Sequence, residues 1–498
     1  MPDGLPTMQG QRRPLWLDAA SPFFFAALVA VIAARGIGSG LATHGDSRTI
    51  YEQTVPAILH GSYFPSRSYG NPLYEYAVAV LFSTGGLVLA SLYSLVSALT
   101  CLFMFDRLLG NSIPGLSRFC VMCAFSLNPL FLINAFAITE WMQATVLLLC
   151  LLLFARCWLS ESSKYDLLGI GVSSALLVLT RPDEAIVCIC LYFALIWHIG
   201  FKSSRSLPLA VTLVVSGALT LAIFGLLNHG FAFLTLKILA TTSYLRRLIV
   251  ATVGVFSVFG FIAPAIIAAV AVGAVRKIWV NCKSMQLQFW TRLFLLTAPI
   301  GLARFALLPD KLEYIMYIAV IALLMLAHER LPWSWLALVA LSMTVPSIAT
   351  LSLFYRLDGT DQLIVRPRLG PGALAQDLGA MRYNWRLMND PALLSSIAAI
   401  VYGTHATPLP TLHAENWAAG LVSDSGDLVI GQSEAYHLDN PRSEPKYQRR
   451  RYSTIYICNR SVFVNGSFGW RISEPPIQWP AVNKGINHLN LACHKETP

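Results

Sequence analysis

Charge is what this chain has least of: Asp, Glu, Lys and Arg make up 12% of its 498 residues, against about 25% in an average soluble domain. That scarcity excludes a soluble enzyme as a reading of the whole chain. Apolar runs recur from Leu15 to Phe354, and the mean hydropathy is +0.58. A single anchor on a soluble body is therefore excluded as well. A disulfide framework is also lacking, because eight of the ten cysteines lie in or beside apolar runs, where a thiol behaves as a small hydrophobe. Cys120 and Cys123 form a CxxC inside one such run and read as core packing. Only Cys458 and Cys493 fall in polar sequence, where they could pair if that part of the chain lies outside the cytoplasm.

Other absences narrow the reading further. There is no internal repeat and no low-complexity segment. His44 and His60 have no partner at ligand spacing, so a metal is not indicated and no cofactor is expected. No small-residue cleavage site follows the first apolar run, Leu15 to Ile37, which is long enough to span and so reads as a helix rather than a signal peptide. The net charge of +10 comes largely from Lys and Arg in short loops, which orient helices by the positive-inside rule. It does not point to nucleic acid.

What is present is a succession of membrane helices. Arg12 and Arg13 place the N-terminus in the cytoplasm. The segment Asn71 to Thr84 is read as a helix lying in the interface, its tyrosines at headgroup depth. Spanning runs follow at Leu87–Leu109, Phe119–Phe136, Met142–Leu159, Leu167–Thr180, Ala185–Gly200, Leu207–Leu227, Leu248–Val275, Phe289–Leu308, Tyr314–Ala327 and Trp333–Phe354. The expected fold class is an all-α polytopic transmembrane bundle of about eleven helices, residues 1–354, with a soluble α+β domain at 355–498. An odd count puts that domain outside. In it, Pro391–Tyr402 reads as a helix and Thr454–Val464 as strand; Asn459 and Asn465 begin N-x-S sequons, and the basic run Gln448–Arg451 reads as a solvated face.

The longest polar interval among the early apolar runs is Ala42 to Tyr76, within a first outer loop at 38–86. It carries Asp46, Arg48, Tyr51, Glu52, His60, Arg67, Tyr74 and Glu75. On the expected topology, Glu140, Arg181, Asp183, Arg246, Arg247, Arg304, Lys311 and Glu313 reach the same outer boundary. Ionisable groups near hydrocarbon are costly and usually face a functional cavity. Orientation requires basic residues inside; it does not require acids and bases mixed outside. A carboxylate with several fixed cations suits group transfer from a lipid-linked phosphate, the carboxylate taking a hydroxyl proton and the cations stabilising the leaving phosphate.

These residues carry a resemblance. GDSRTIY at 45–51, NPLYEY at 71–76, AITEW at 137–141, LTRPDEA at 179–185 and PDKLEYIMY at 309–317 come in the order expected of the GT-C class of integral-membrane glycosyltransferases. That class, with the protein O-mannosyltransferases and the lipid A aminoarabinose transferase among its members, uses polyprenyl-phosphate sugars as donors. The resemblance covers roughly residues 15 to 330. It implies that Asp46 is the general base. Beside it, Arg48, Tyr51, Tyr74, Glu75, Glu140, Arg181 and Asp183 are the candidate substrate contacts, and Arg246 and Lys311 the candidate phosphate contacts. Many relatives have two adjacent acids in the first loop, whereas Ser47 follows Asp46 here; Glu52, Glu75 and Glu140 are the candidates for a second carboxylate.

The expectation is thus a glycosyltransferase of the cell inner membrane. It would move a sugar from a polyprenyl-phosphate donor to a hydroxyl of a lipid, glycan or protein acceptor on the outer face. The alternative is a transporter or flippase for a lipid-linked or anionic solute, which would place charges mid-helix and show repeat symmetry.

Overall fold

The computed structural model describes residues 15–41, 50–66, 70–110, 113–228, 244–280, 287–307, 312–357 and 363–389, and short strands between 412 and 496. Up to Ile348 the regular elements among the described residues are helices, with no strand. The helices are α1 (Leu15–Ala34), α2 (Val55–Leu59), α3 (Pro72–Leu109), α4 (Gly115–Ser126), α5 (Pro129–Asn134), α6 (Trp141–Glu161), α7 (Lys164–Thr180) and α8 (Ala185–Ile199). After them come α9 (Ser206–Leu227), α10 (Tyr244–Phe259), α11 (Ile262–Val280), α12 (Phe289–Leu307), α13 (Met316–His328) and α14 (Trp333–Ile348). Among the described residues, five helices are long and apolar enough to cross a membrane: α3, α6, α8 with the turn before it, α9 and α11. Such a set is the pattern of a multi-pass membrane protein.

The core lies along α13, whose residues from Met316 to Ala327 are all buried. In contrast, Val211, Val214, Val215 and Leu219 stand exposed on α9, an apolar outer surface suited to lipid. Proline and its neighbours punctuate the bundle. Pro72 opens α3, where its missing N–H costs no helical bond. Asn128 caps α5 by accepting from Leu130 N at 3.0 Å and donates to the Val258 carbonyl at 2.7 Å, tying α5 to α10.

Three expected spans are broken or shortened. Phe119–Phe136 is two helices, α4 and α5: Asn128, before Pro129, is extended with φ −62° and ψ 137°, and Pro129 opens the second helix, where its missing N–H costs no bond. Leu248–Val275 is two helices as well, parted at Gly260, whose φ of +64° is in the left-handed region that glycine tolerates. The freed backbone groups there are met by one side chain of α14: Ser342 Oγ donates to the Phe259 carbonyl at 2.7 Å and accepts from Ile262 N and Ala263 N, each at 3.1 Å. Trp333–Phe354 ends as helix at Ile348. Asn71–Thr84 and Leu87–Leu109 run on as α3, bent at Gly86, where φ is +62°.

Beyond Ile348 come strands β1 (Ala349–Leu357) and β2 (Leu363–Pro371), an antiparallel pair, and then helix α15 (Ala373–Asn389). Strands β3 (Leu412–Asn416), β4 (Gly420–Ser423), β5 (Asp427–Gly431), β6 (Thr454–Cys458) and β7 (Cys493–Glu496) hydrogen-bond in that order, antiparallel except for β5 with β6. The β6–β7 register sets Cys458 opposite Cys493. The helix expected at 391–402 lies outside the described residues.

Candidate functional site

At one end of the bundle, three separate stretches converge on Arg181. The first is Thr180–Glu184. Pro182 disfavours helical geometry at the residue before it, and Arg181 is extended, with φ −150° and ψ 99°, between α7 and a single 3-10 turn of Pro182–Glu184. The break turns Asp183 and Glu184 back toward the Arg181 side chain. Arg181 Nη2 donates to Asp183 Oδ2 at 3.0 Å, and Nε lies 3.7 Å from Glu184 Oε1.

The second stretch is the turn before α6. Thr139 Oγ1 donates to Asn134 Oδ1 at 2.7 Å, and Ser94 Oγ of α3 donates to the Ala137 carbonyl at 2.8 Å. Held in this way, the turn presents Glu140, whose Oε1 accepts from Arg181 Nη1. Trp141, next in the chain, lies under the guanidinium, 3.3 Å from its carbon to the ring centroid. Such a cation–π contact strengthens as water is removed, and the Arg181 side chain is fully buried.

The third stretch runs from α12 to α13. Arg304 Nη2 lies 2.5 Å from Asp183 Oδ2, and Nη1 donates to the Asp183 carbonyl at 3.2 Å. Its guanidinium sits 4.2 Å from the Tyr314 ring centroid, and Tyr314 also faces Arg181 at 5.4 Å. Glu313, beside Tyr314, is buried too. Arg181 is enclosed by carboxylates and has no face left for a ligand, whereas the Arg304 side chain keeps 13% of its surface exposed. The described carboxylates of this network, Glu140, Asp183, Glu184 and Glu313, outnumber its two described guanidiniums.

Tyr74 links this network to the first loop. It is buried in one apolar cluster with Leu41 and Ile50, which flank the Asp46 segment, and with Ile138 from the Glu140 turn. Among the described residues, neither the Tyr74 hydroxyl nor the buried Asn71 side-chain amide has a hydrogen-bond partner. Polar groups enclosed in this way are rare in proteins and call for a reason.

Glu75 plays a different part. It is buried, and its carboxylate accepts from Tyr63 Oη at 2.5 Å, from Ser66 N at 3.0 Å and from Ser66 Oγ. These bonds fold residues 60–66 back onto α3, with the Tyr63 ring stacked on Tyr76 at 5.7 Å. Burial, and then the Glu75 charge, pushes the Tyr63 phenol above its ordinary pKa. Gly70, at φ +72°, is required here, since a Cβ would meet the Tyr63 hydroxyl at 2.1 Å.

Of the residues expected at the site, Glu140, Arg181 and Asp183 are directly joined, and Tyr74 adjoins them. Tyr51 packs against Phe82 and Trp385, and Glu75 anchors the loop. Asp46, Arg48 and Lys311 lie outside the described residues, as do the side chains of Glu52 and Arg246. Sequence reasoning gave Arg304 little weight and passed over Glu184 and Asn71. Arg304 had a signal, being one of two arginines in a largely apolar helix, Arg292 being the other. Among the described residues, no three His, Cys, Asp or Glu side chains are arranged to hold a metal ion. No protein-family model, curated protein or solved structure matches the chain.

Proposed function

We propose that the chain is a membrane glycosyltransferase that moves a sugar from a polyprenyl-phosphate donor to an acceptor hydroxyl. The observation that carries this reading is the convergence of Glu140, Arg181, Asp183, Glu184 and Arg304 at the end of the bundle where Tyr74 packs with both flanks of the Asp46 loop. In the reaction, the acceptor hydroxyl attacks the anomeric carbon, the bond to the lipid phosphate oxygen breaks, and Asp46 takes the hydroxyl proton. A single displacement inverts the anomeric centre. Arg304, with Lys311 and Arg246, holds the departing phosphate. These cations also answer the surplus negative charge of the network. Arg181 serves by fixing Glu140 and Asp183, and Asn71 and Tyr74 offer donors and acceptors to sugar hydroxyls.

The reading includes eleven crossings of the cell inner membrane, with α4 and α5 forming one and α10 and α11 another. The N-terminus is cytoplasmic, and the Glu140 end opens to the outside. The chain beyond residue 354 then forms a small outer α+β domain that shapes acceptor choice. The transporter alternative would make use of the break at Gly260, since parted helix ends can bind ions. Ser342 already takes up the groups freed there, which weighs against it.

The test is transfer of radiolabelled sugar from a polyprenyl-phosphate pool in membranes carrying the wild-type chain or Asp46→Asn at equal expression. Transfer lost only in the variant supports both the enzyme class and the base. Transfer by both moves the base to another carboxylate, and transfer by neither across a broad donor set favours the transporter.

A further inference from the structure

Helix α15 comes from the chain beyond the last apolar helix, yet it is built into the bundle. Gly372 N donates to the Ile348 carbonyl at 2.9 Å, which seats the start of α15 on the end of α14. Ala373 and Met381 are buried in the main core. From there the helix crosses the first loop. Arg382 Nη2 donates to the Arg35 carbonyl at 2.7 Å, and its Nε donates to Ser39 Oγ at 3.3 Å. Gly40 lies so close that a Cβ there would meet the Met381 carbonyl at 2.4 Å and Trp385 Cβ at 2.8 Å. One turn on, Trp385 packs edge-on to Tyr51, with 5.7 Å between ring centroids.

These contacts fall immediately before and immediately after the segment 42–49 that carries Asp46. A helix that merely covered apolar surface would have no need of Arg382. Its guanidinium instead meets a carbonyl just past the C-terminus of α1, where helical carbonyls lack partners and favour a cation. Fixing both ends of a short loop sharply reduces the conformations open to it.

We propose that α15 is a clamp on the start of the first loop, with Arg382 holding Arg35 and Ser39 and Trp385 holding Tyr51, and that both are positioning residues for Asp46, which lies between them in the sequence. The clamp stands on the contacts alone; the role given to Asp46 rests on the glycosyltransferase reading. The chain beyond the membrane bundle thereby governs the geometry of the reacting group as well as the acceptor.

The test uses the full chain in detergent micelles and compares wild type with Arg382→Ala, Trp385→Ala and Trp385→Phe. Backbone hydrogen exchange across 38–52 is followed beside transfer from a radiolabelled polyprenyl-phosphate sugar pool. Both alanine variants should speed exchange there and lower kcat about tenfold or more, since small displacements of a reacting group cost that much. Donor KM should stay unchanged, and Trp385→Phe should restore both readouts. Unchanged exchange would overturn the clamp. Faster exchange with normal kcat, or a change in KM alone, would overturn the positioning role. If wild type transfers no sugar, the glycosyltransferase reading fails, and exchange still decides the clamp. Should an alanine variant not fold, Ser39→Cys with Arg382→Cys decides instead: a short bis-maleimide should join them, and failure to do so overturns the contact.

Discussion

The two ends of this bundle use arginine in opposite ways. At the Glu140 end, Arg181 and Arg304 are matched to carboxylates drawn from three stretches of chain. At the other end, Arg118 is bridged to the single carboxylate of Asp106, and three further arginines meet main-chain carbonyls where helices stop. Arg156 donates to the Arg107 carbonyl at 2.9 Å and to the Leu108 carbonyl at 2.7 Å; Arg205 donates to the Trp158 carbonyl and Arg292 to the Trp197 carbonyl, each at 2.7 Å. A cation at a helix C-terminus satisfies orphan acceptors and the helix dipole together; that is a structural duty. A buried arginine among several carboxylates is a poor stabilising device compared with apolar packing. The proposed function makes the end with several carboxylates the working one.

The largest expected effect separates the ends by stability. Arg181→Met leaves buried carboxylates unmatched and should cost about 3–5 kcal/mol, read as thermal unfolding in detergent. Adding Glu140→Gln should recover part of that loss, because the two residues share one interaction. Arg205→Ala, at the opposite end, should cost less, about 1–3 kcal/mol for a lost charged hydrogen bond, and should not alter transfer. The same stability loss at both ends, with no recovery in the double variant, would erase the distinction. Tyr63→Phe is the smallest of the three, about 1 kcal/mol, and should loosen exchange across 60–70 while sparing the Arg181 network. A final comparison concerns which side the ends face. The β6–β7 register sets Cys458 and Cys493 opposite each other, so on the proposed orientation unreduced protein should give a peptide pair linked between them. Two free thiols in protein isolated with rapid alkylation would argue for the reverse orientation.

Much of this was legible in the sequence because helices in lipid are marked by long apolar runs and proline stops. LTRPDEA showed its break through Pro182, and AITEW placed Glu140 at a helix start. What was not legible depended on contacts between distant segments. The break at Gly260 is made tolerable by Ser342, eighty residues on, and no local pattern announces it. Glu75 stood in the sequence as a candidate site acid, but its partners Tyr63 and Ser66 spend it on folding the loop. Helix α15 escaped notice because its apolar residues, Leu374, Leu378 and Met381 among them, are interspersed with polar ones and form no long run, and its place is set by the surface on which it lies.

The most direct test compares one acid from each end. Glu140 pairs with Arg181 in the network, and Asp106 pairs with Arg118 in a buried bridge at the opposite end. Sugar transfer from a polyprenyl-phosphate donor pool is measured for Glu140→Gln and Asp106→Asn at matched amounts of folded protein. The account predicts that Glu140→Gln loses transfer by about a hundredfold, as displaced catalytic geometry would cause, while Asp106→Asn retains it. Equal activity in the two variants, whether high or low, would contradict the claim that the Glu140 end is where the chemistry occurs.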